Sequence, residues 1–407
     1  LNGDHPAALP ADLLGRVRQR LAGEGAGVSS ATVARAVRAE AGLLVSDAQM
    51  LDLIRAFHCE LVGTGPLAAL LADPDTTDVI VNGPDDVRVD RGRGWESTEV
   101  RFADDEAVTR LARRLAVAAG RRLDDAQPFV DADLPDGSRL HAVLAPPAAS
   151  GTCLSIRTLR PSRHGMDSLA AGGTFPGLVR PVLEAIILAR CPFLISGGTG
   201  TGKTTLLGAM LGAVPPTERI VTVEDSAELR PEHPHVVRLV ARTDNVEGAG
   251  RIELRELVRQ ALRMRPDRLV VGEVRGAEII DLLSALNTGH EGGAGTVHAN
   301  AVMEVPARME ALGSLGGLDR YALHAQLAGA LRVVVHLRRG GGPARGAAGR
   351  VRAAGEAGRT VAGVGVLTMG SRGLMVPATA IDDAGRPTEH AGLLAGILRE
   401  RGVAVPW

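Results

Sequence analysis

Residues 197–204 read Gly197-Gly198-Thr199-Gly200-Thr201-Gly202-Lys203-Thr204, and the pattern G-x-x-x-x-G-K-[ST] that they spell organises the reading of everything around them. The octet follows Pro192-Phe193-Leu194-Ile195-Ser196, a short apolar run of strand character, and leads into TTLLGAMLGAV (204–214), which has helical spacing. Strand, glycine-rich turn and helix in that order form the context a phosphate loop requires. Its glycines let backbone N–H groups converge on phosphate oxygens, and the helix N-terminus adds its positive dipole end. Lys203 can reach the terminal phosphates, and the Thr204 hydroxyl can ligate magnesium. Gly198, Thr199, Gly200, Thr201, Gly202, Lys203, Thr204 and Thr205 are therefore the candidate nucleotide contacts. Composition points to the same place. Among 46 basic residues Lys203 is the single lysine, and an ammonium and a guanidinium are not interchangeable in a tight phosphate site.

Outward from the loop, strand and helix signals alternate. A helix is expected over LVRPVLEAIILAR (178–190), strands over IVTVED (220–225), VVRLV (236–240) and RLVVGE (268–273), and helices over LRELVRQALRM (254–264) and AEIIDLLSALNTG (277–289). This alternation predicts a largely parallel sheet covered on both faces. Upstream, short β-branched runs (DVIVNG, VRVDR, STEVRF), a helix over DEAVTRLARRLAVAAG (105–120) and the strands RLHAVL and LSIRTL predict a mixed α/β domain. Helical spacing in TVARAVRAEAG and AQMLDLIRAFHCELVG makes the first sixty residues a helical lead. The expected division is thus a helical segment 1–62, an upstream α/β domain 63–172, a phosphate-loop domain 173–339, a Gly/Ala/Arg-rich linker 340–360 and a short α/β tail 361–407.

A chain of 407 residues exceeds what one hydrophobic core usually supports. Aromatics at 2% leave few platforms for stacking bases, and 46 basic against 47 acidic side chains give no excess to hold a phosphate backbone, which argues against direct nucleic-acid binding. Cys59, Cys153 and Cys191 are scattered with no CxxC pair, so neither a disulfide framework nor a zinc knuckle is indicated and a reducing cytosol is expected. No uncharged apolar stretch is long enough for a membrane span, and the amino end lacks the pattern of a secretory signal.

Hydrolysis needs more than a phosphate cradle: a group to orient water and groups to stabilise the charge spreading over the transferred phosphoryl. In a parallel sheet the carboxyl ends of the strands face the ligand crevice, so Glu224, Asp225 and Glu228 after one strand and Glu273 after another are the candidates. Taken singly, such carboxylates also serve as helix caps or sit in solvated turns. His290 and His298 bracket GHEGGAGTVHAN; they are too far apart across glycines for a same-face metal pair, and contact with phosphate or loop decoration are the readings left. Arg251, Arg255, Arg259, Arg263, Arg265 and Arg268 are read as solvated faces or salt-bridge partners, with some free to reach phosphates.

With GGTGTGKTT, VEDSAEL, LRMRPDRLVVGEVRG and GHEGGAGTVHAN in that order, the chain resembles the secretion traffic ATPases of the type II/type IV secretion superfamily, most closely the tight-adherence (Tad/CpaF-like) pilus assembly branch. The resemblance covers about Gly63 to Arg338 and takes in LLADPDTTDVIVNGP, GRRLDDAQPFVDADLPDGSRL and LSIR upstream. It implies a RecA-like P-loop NTPase motor domain preceded by a mixed α/β domain and a helical lead, and a cytoplasmic hexamer that hydrolyses ATP with Mg²⁺ and works on an inner-membrane platform protein. By motif, Glu224 would polarise the attacking water, Glu273 would hold the magnesium shell together with Thr204, His298 would sense the γ-phosphate, and Arg139 and Arg157 would reach the phosphates from the upstream domain. Ser226 stands where retraction and type II motors usually place proline. Two alternatives stay open: a DNA-transfer ATPase of the conjugation type, and a nucleotide-binding ring scaffold without turnover.

Overall fold

The computed structural model describes residues 16–17, 19–20, 30–41, 63–92, 94–158, 164–242, 249–289, 291–340 and 358–407. It divides into two compact units, Leu1–Arg160 and Pro161–Trp407. Of the helical lead, α1 (Ser30–Ala41) is described; the helix expected over AQMLDLIRAFHCELVG falls outside the described residues, as does most of the linker from Gly340.

In the first unit, α2 (Ala68–Ala72) precedes β1 (Asp78–Val81), β2 (Val87–Asp90), β3 (Trp95–Ser97), α3 (Asp105–Ala118), β4 (Phe129–Asp133), β5 (Arg139–Val143) and β6 (Cys153–Arg157). The strands form one sheet in the order β3-β2-β1-β6-β5-β4, antiparallel throughout. Alternation sets its faces: Val79 and Val81, Leu140 and Ala142, and Leu154 and Ile156 point into a core closed by Val108, Leu111 and Leu115 of α3. The helix starts where Asp104 accepts a hydrogen bond from the Ala107 N–H at 2.7 Å, the N-cap arrangement that satisfies an orphan donor. The strand expected over STEVRF ends at Ser97, and β4 is a strand the sequence reading did not include.

The second unit opens with α4 (Met166–Ala171), whose Met166 is buried in this unit's core, so the division falls after Arg160 rather than near Gly172. There follow α5 (Val179–Leu188), β7 (Phe193–Gly197), α6 (Lys203–Gly212), β8 (Ile220–Glu224), β9 (Val236–Val240), α7 (Leu254–Leu262), β10 (Arg268–Val271), α8 (Glu278–Asn287), β11 (Ala294–Val297), α9 (Val305–Leu315), α10 (Arg320–Ala330) and β12 (Val333–Arg339). Beyond the linker come β13 (Arg359–Met369), β14 (Met375–Ile381) and α11 (Ala391–Glu400). The sheet order is β14-β13-β12-β7-β11-β10-β8-β9; the six strands from β12 to β9 are parallel, and β13 and β14 are added antiparallel. The tail expected as a separate piece is therefore the edge of the phosphate-loop unit's sheet, joined to it by the ladder between β12 and β13.

Every residue of β7 is buried because helices cover both faces. Phe193 and Ile195 pack with α5, α6 and α11 through Leu183, Leu207 and Leu394, while Leu194 points the other way, into a cluster with Val258, Leu282, Met309 and Leu323 of α7 to α10. Parallel register places Val271 beside Val223 and Val297 beside Ser196, so Glu224, Gly272-Glu273 and His298 all emerge at the carboxyl edge where Gly197 begins the glycine-rich loop.

Candidate functional site: the carboxyl edge of the motor sheet

Gly200 and Gly202 have φ of 70° and 93°, a left-handed backbone that glycine adopts without a Cβ penalty. A Cβ at Gly202 would also lie 3.0 Å from Arg359 Cδ. Thr201 closes the loop by donating from Oγ1 to the Gly198 carbonyl at 2.9 Å, while Thr199 and Gly200 stand exposed at its tip. Helix α6 starts at Lys203, with Thr204 and Thr205 in its first turn.

Lys203 is 7% exposed, and its Nζ donates to the carbonyls of Gly197 at 3.0 Å and Gly198 at 2.9 Å. Burial lowers its pKa, an effect partly opposed by the Glu273 carboxylate. The ammonium also lies 3.3 Å from His298 Nε2, which in turn is 2.8 Å from Glu273 Oε1. One ring nitrogen cannot accept from the lysine and donate to the carboxylate at once. Burial and the Lys203 charge lower the histidine's pKa, opposed by the Glu273 carboxylate. Glu273 Oε1 is buried with no aligned hydrogen-bond donor, whereas its Oε2 accepts from Arg275 Nη2 at 2.5 Å.

Glu224, at the end of β8, is 3% exposed. Its Oε1 accepts from the backbone N–H groups of Glu228 at 3.1 Å and Leu229 at 2.8 Å, and Oε2 is buried with no partner. Desolvation pushes its pKa up to about 7, against the two N–H donors that favour the charged form. Space for this side chain comes from Gly272, where a Cβ would lie 2.8 Å from Glu224 Cγ; the glycine in RLVVGE thus has a steric reason.

The structure therefore brings Lys203, Glu224, Glu273 and His298 to one edge. Beside the Thr204 hydroxyl the neighbouring carboxylate is Glu228, at 3.4 Å, whereas Glu273 is engaged with Arg275 and His298. Arg139 and Arg157 are directly paired neighbours on β5 and β6 of the first unit, and Arg157 Nε donates to Asp78 Oδ1 at 3.0 Å. His290 lies outside the described residues. Several of the arginines between 251 and 268 are salt-bridge partners, one of the two roles expected for them: Arg255 and Arg259 both bond Asp281, Arg251 pairs with Glu253, and Arg268 is buried against Glu218. Sequence reasoning passed over Arg275, whose role depends on its spacing from Glu273, and His336 of β12, whose Nδ1 lies 3.0 Å from Ser196 Oγ behind the loop.

A parallel sheet with a phosphate loop after β7 and carboxylates at the ends of its neighbours defines a RecA-like P-loop nucleotide-binding fold. Residues 60–352 match the model of the type II/IV secretion system protein family, and the chain belongs to that family. It is 60% identical over 302 residues to a putative conjugal transfer protein of Mycobacterium tuberculosis, an alignment spanning 73% of this chain and 86% of that protein. It is 27% identical to the type IV secretion system protein VirB11 of Bartonella quintana over 67% of this chain and 87% of the relative. Among solved structures, the pilus retraction motor PilT with bound ADP superposes with a TM-score of 0.50 at 18% identity, covering 82% of this chain and 86% of that one, a likeness of fold.

Proposed function

We propose that this protein is a magnesium-dependent ATP hydrolase that drives a pilus assembly or secretion apparatus, working as a hexameric ring on an inner-membrane platform protein from the cytoplasmic side. The observation that carries the reading is the charge census at the carboxyl edge: a buried ammonium held only by loop carbonyls and a histidine, facing two buried carboxylate oxygens, Glu224 Oε2 and Glu273 Oε1, that have no donor. Buried polar groups are normally satisfied, so this set is built for something that arrives. These groups fit a magnesium nucleotide. Lys203 would exchange its carbonyl partners for phosphate oxygens, and Thr204 and Glu273 would be the residues to hold the magnesium. Magnesium, when bound, neutralises charge developing on the phosphoryl oxygens.

Glu224, poised near neutrality, is suited to align and deprotonate a water through Oε2 while its other oxygen is pinned by backbone. His298 touches both Lys203 and Glu273, so displacement of the ammonium by phosphate is transmitted to it directly. Arg139 and Arg157 of the first unit carry guanidiniums of a kind suited to phosphate. Among the described residues no helix is long and apolar enough to cross a membrane.

A second reading, an ATPase of DNA transfer, is favoured by the name of the Mycobacterium tuberculosis relative. Steady-state ATPase assays on the full chain test the first claim: magnesium-dependent turnover is expected, and tight nucleotide binding with no turnover would leave a scaffold. DNA affinity that falls steeply with salt would transfer the assignment to the conjugation branch.

A further inference from the structure

The phosphate-loop motif accounts for Lys203 and leaves a second cation at the same mouth unexplained. Arg359 begins β13, the first strand after the linker. Register fixes its height: Leu337 of β12 pairs with Gly197 of β7, and two residues further along β12 Arg339 pairs with Arg359. Arg359 thus stands just beyond the carboxyl edge, on the loop's side of the sheet. Contact confirms it, since a Cβ built on Gly202 would meet Arg359 Cδ at 3.0 Å, Nε at 3.8 Å and Nη1 at 3.9 Å. No carboxylate among the described residues pairs with this guanidinium; the charge bearing on it is that of Arg339, of like sign. Although Arg359 is exposed as a whole residue, its charge is desolvated enough for burial, first, and Arg339, second, to lower its pKa. Neighbouring arginines are engaged elsewhere, as Arg338 is with Asp383 at 3.7 Å.

We propose that Arg359 is a second cation of the nucleotide site, whose guanidinium, laid along Gly202, takes oxygens of the bound nucleotide's phosphate chain. An unpaired, partly desolvated guanidinium laid along Gly202 and facing the like charge of Arg339 is unfavourable until an anion reaches it, and a planar fork suits phosphate oxygens that the loop's N–H groups leave open. The inference rests on the nucleotide-site reading above. It also ties the tail to the site, because β13, the tail's first strand, carries a ligand-binding side chain back to the loop.

Calorimetric titration of the full chain with the magnesium complex of the β,γ-imido analogue of ATP, with tripolyphosphate and with adenosine tests it. Arg359→Ala is expected to weaken the analogue and tripolyphosphate alike by about tenfold or more, the scale of a hydrogen bond to a charged group. Arg359→Lys should recover part of the loss, adenosine should be unaffected, and the ligand-free variant should melt no lower than wild type. Arg359→Gln, which keeps the stem that packs on Gly202, serves if the alanine variant does not fold. Unchanged affinities in both neutral variants, or weakened analogue binding with tripolyphosphate unchanged, would overturn the proposal while Lys203→Ala still abolishes binding. Failure of the wild-type chain to bind any of these anions would instead defeat the nucleotide site itself, and Arg359 with it.

Discussion

The two edges of the motor sheet bury charge in opposite ways. At the amino edge Arg268 is 1% exposed, and its Nε donates to Glu218 Oε2 at 2.7 Å and its Nη2 to the Ile187 carbonyl at 2.8 Å. The other Glu218 oxygen accepts from Arg190 at 3.2 Å, so the carboxylate too is satisfied. At the carboxyl edge, 7%-exposed Lys203 rests on loop carbonyls, Glu273 has one oxygen bonded and one not, and Glu224 keeps Oε2 without a donor. Both edges carry the desolvation cost of ions, but only the first recovers it within the chain. The difference teaches how to separate architecture from chemistry: a buried ion whose partners are complete holds the fold, and one whose partners are incomplete awaits a ligand.

Substitutions at each edge should therefore fail differently. The largest effect is expected from Glu224→Gln, which keeps shape and hydrogen bonding yet removes the base; turnover should fall by about a hundredfold or more with nucleotide affinity retained. A loss under about tenfold would put the base elsewhere. At the opposite edge Arg268→Ala strands Glu218 in the core and should cost the motor unit about 3–5 kcal/mol in denaturant unfolding, leaving the nucleotide affinity of the folded protein unchanged. Equal or better stability on replacing both partners, Arg268→Met with Glu218→Leu, would support the purely structural reading.

The pH dependence sharpens the contrast. Glu224 has a folded pKa of about 7 against an ordinary value of 4.5, so the folded state holds the proton more tightly and stability falls as pH rises between those values, by about 3 kcal/mol. Melting temperatures measured from pH 4.5 to pH 8 without nucleotide should show that slope in the wild type and a flatter profile in Glu224→Gln. Parallel profiles would mean the carboxylate is solvated. The smallest effect is steric. Gly272→Ala forces a Cβ onto Glu224 Cγ and should cost about 1–3 kcal/mol, whereas Gly208→Ala on α6, with open space around it, should be neutral or stabilising.

How much of this could be read from sequence follows from how local each signal is. The loop is contiguous and its requirements are short-range, so Gly197 to Thr204 were legible with their flanking strand and helix. Glu224 and Glu273 were placed at one edge because parallel strands of similar length align their carboxyl ends, whereas His298 was reached through the family resemblance. The tail was not legible, because its pairing to β12 is made across the linker and nothing in GVGVL or GLMVP says which strand it joins. Helices α9 and α10 carry weak periodicity, with Gly313 and Pro306 inside the first; their packing shows only in the fold, where a Cβ on Gly313 would meet Leu323 Cδ1 at 3.0 Å. Arginine roles were illegible for a third reason. A guanidinium's function is set by its partner, and nothing in the sequence says that Arg255 and Arg259 share Asp281.

The most direct test of the central claim is a calorimetric titration of the full chain with a non-hydrolysable magnesium nucleotide, run beside Lys203→Ala. Saturable binding to the wild type, weakened by about a hundredfold or more in the variant, is the predicted result. Equal affinity in the two proteins, or no binding in either, would show that the incomplete charges at the carboxyl edge are not kept for phosphate.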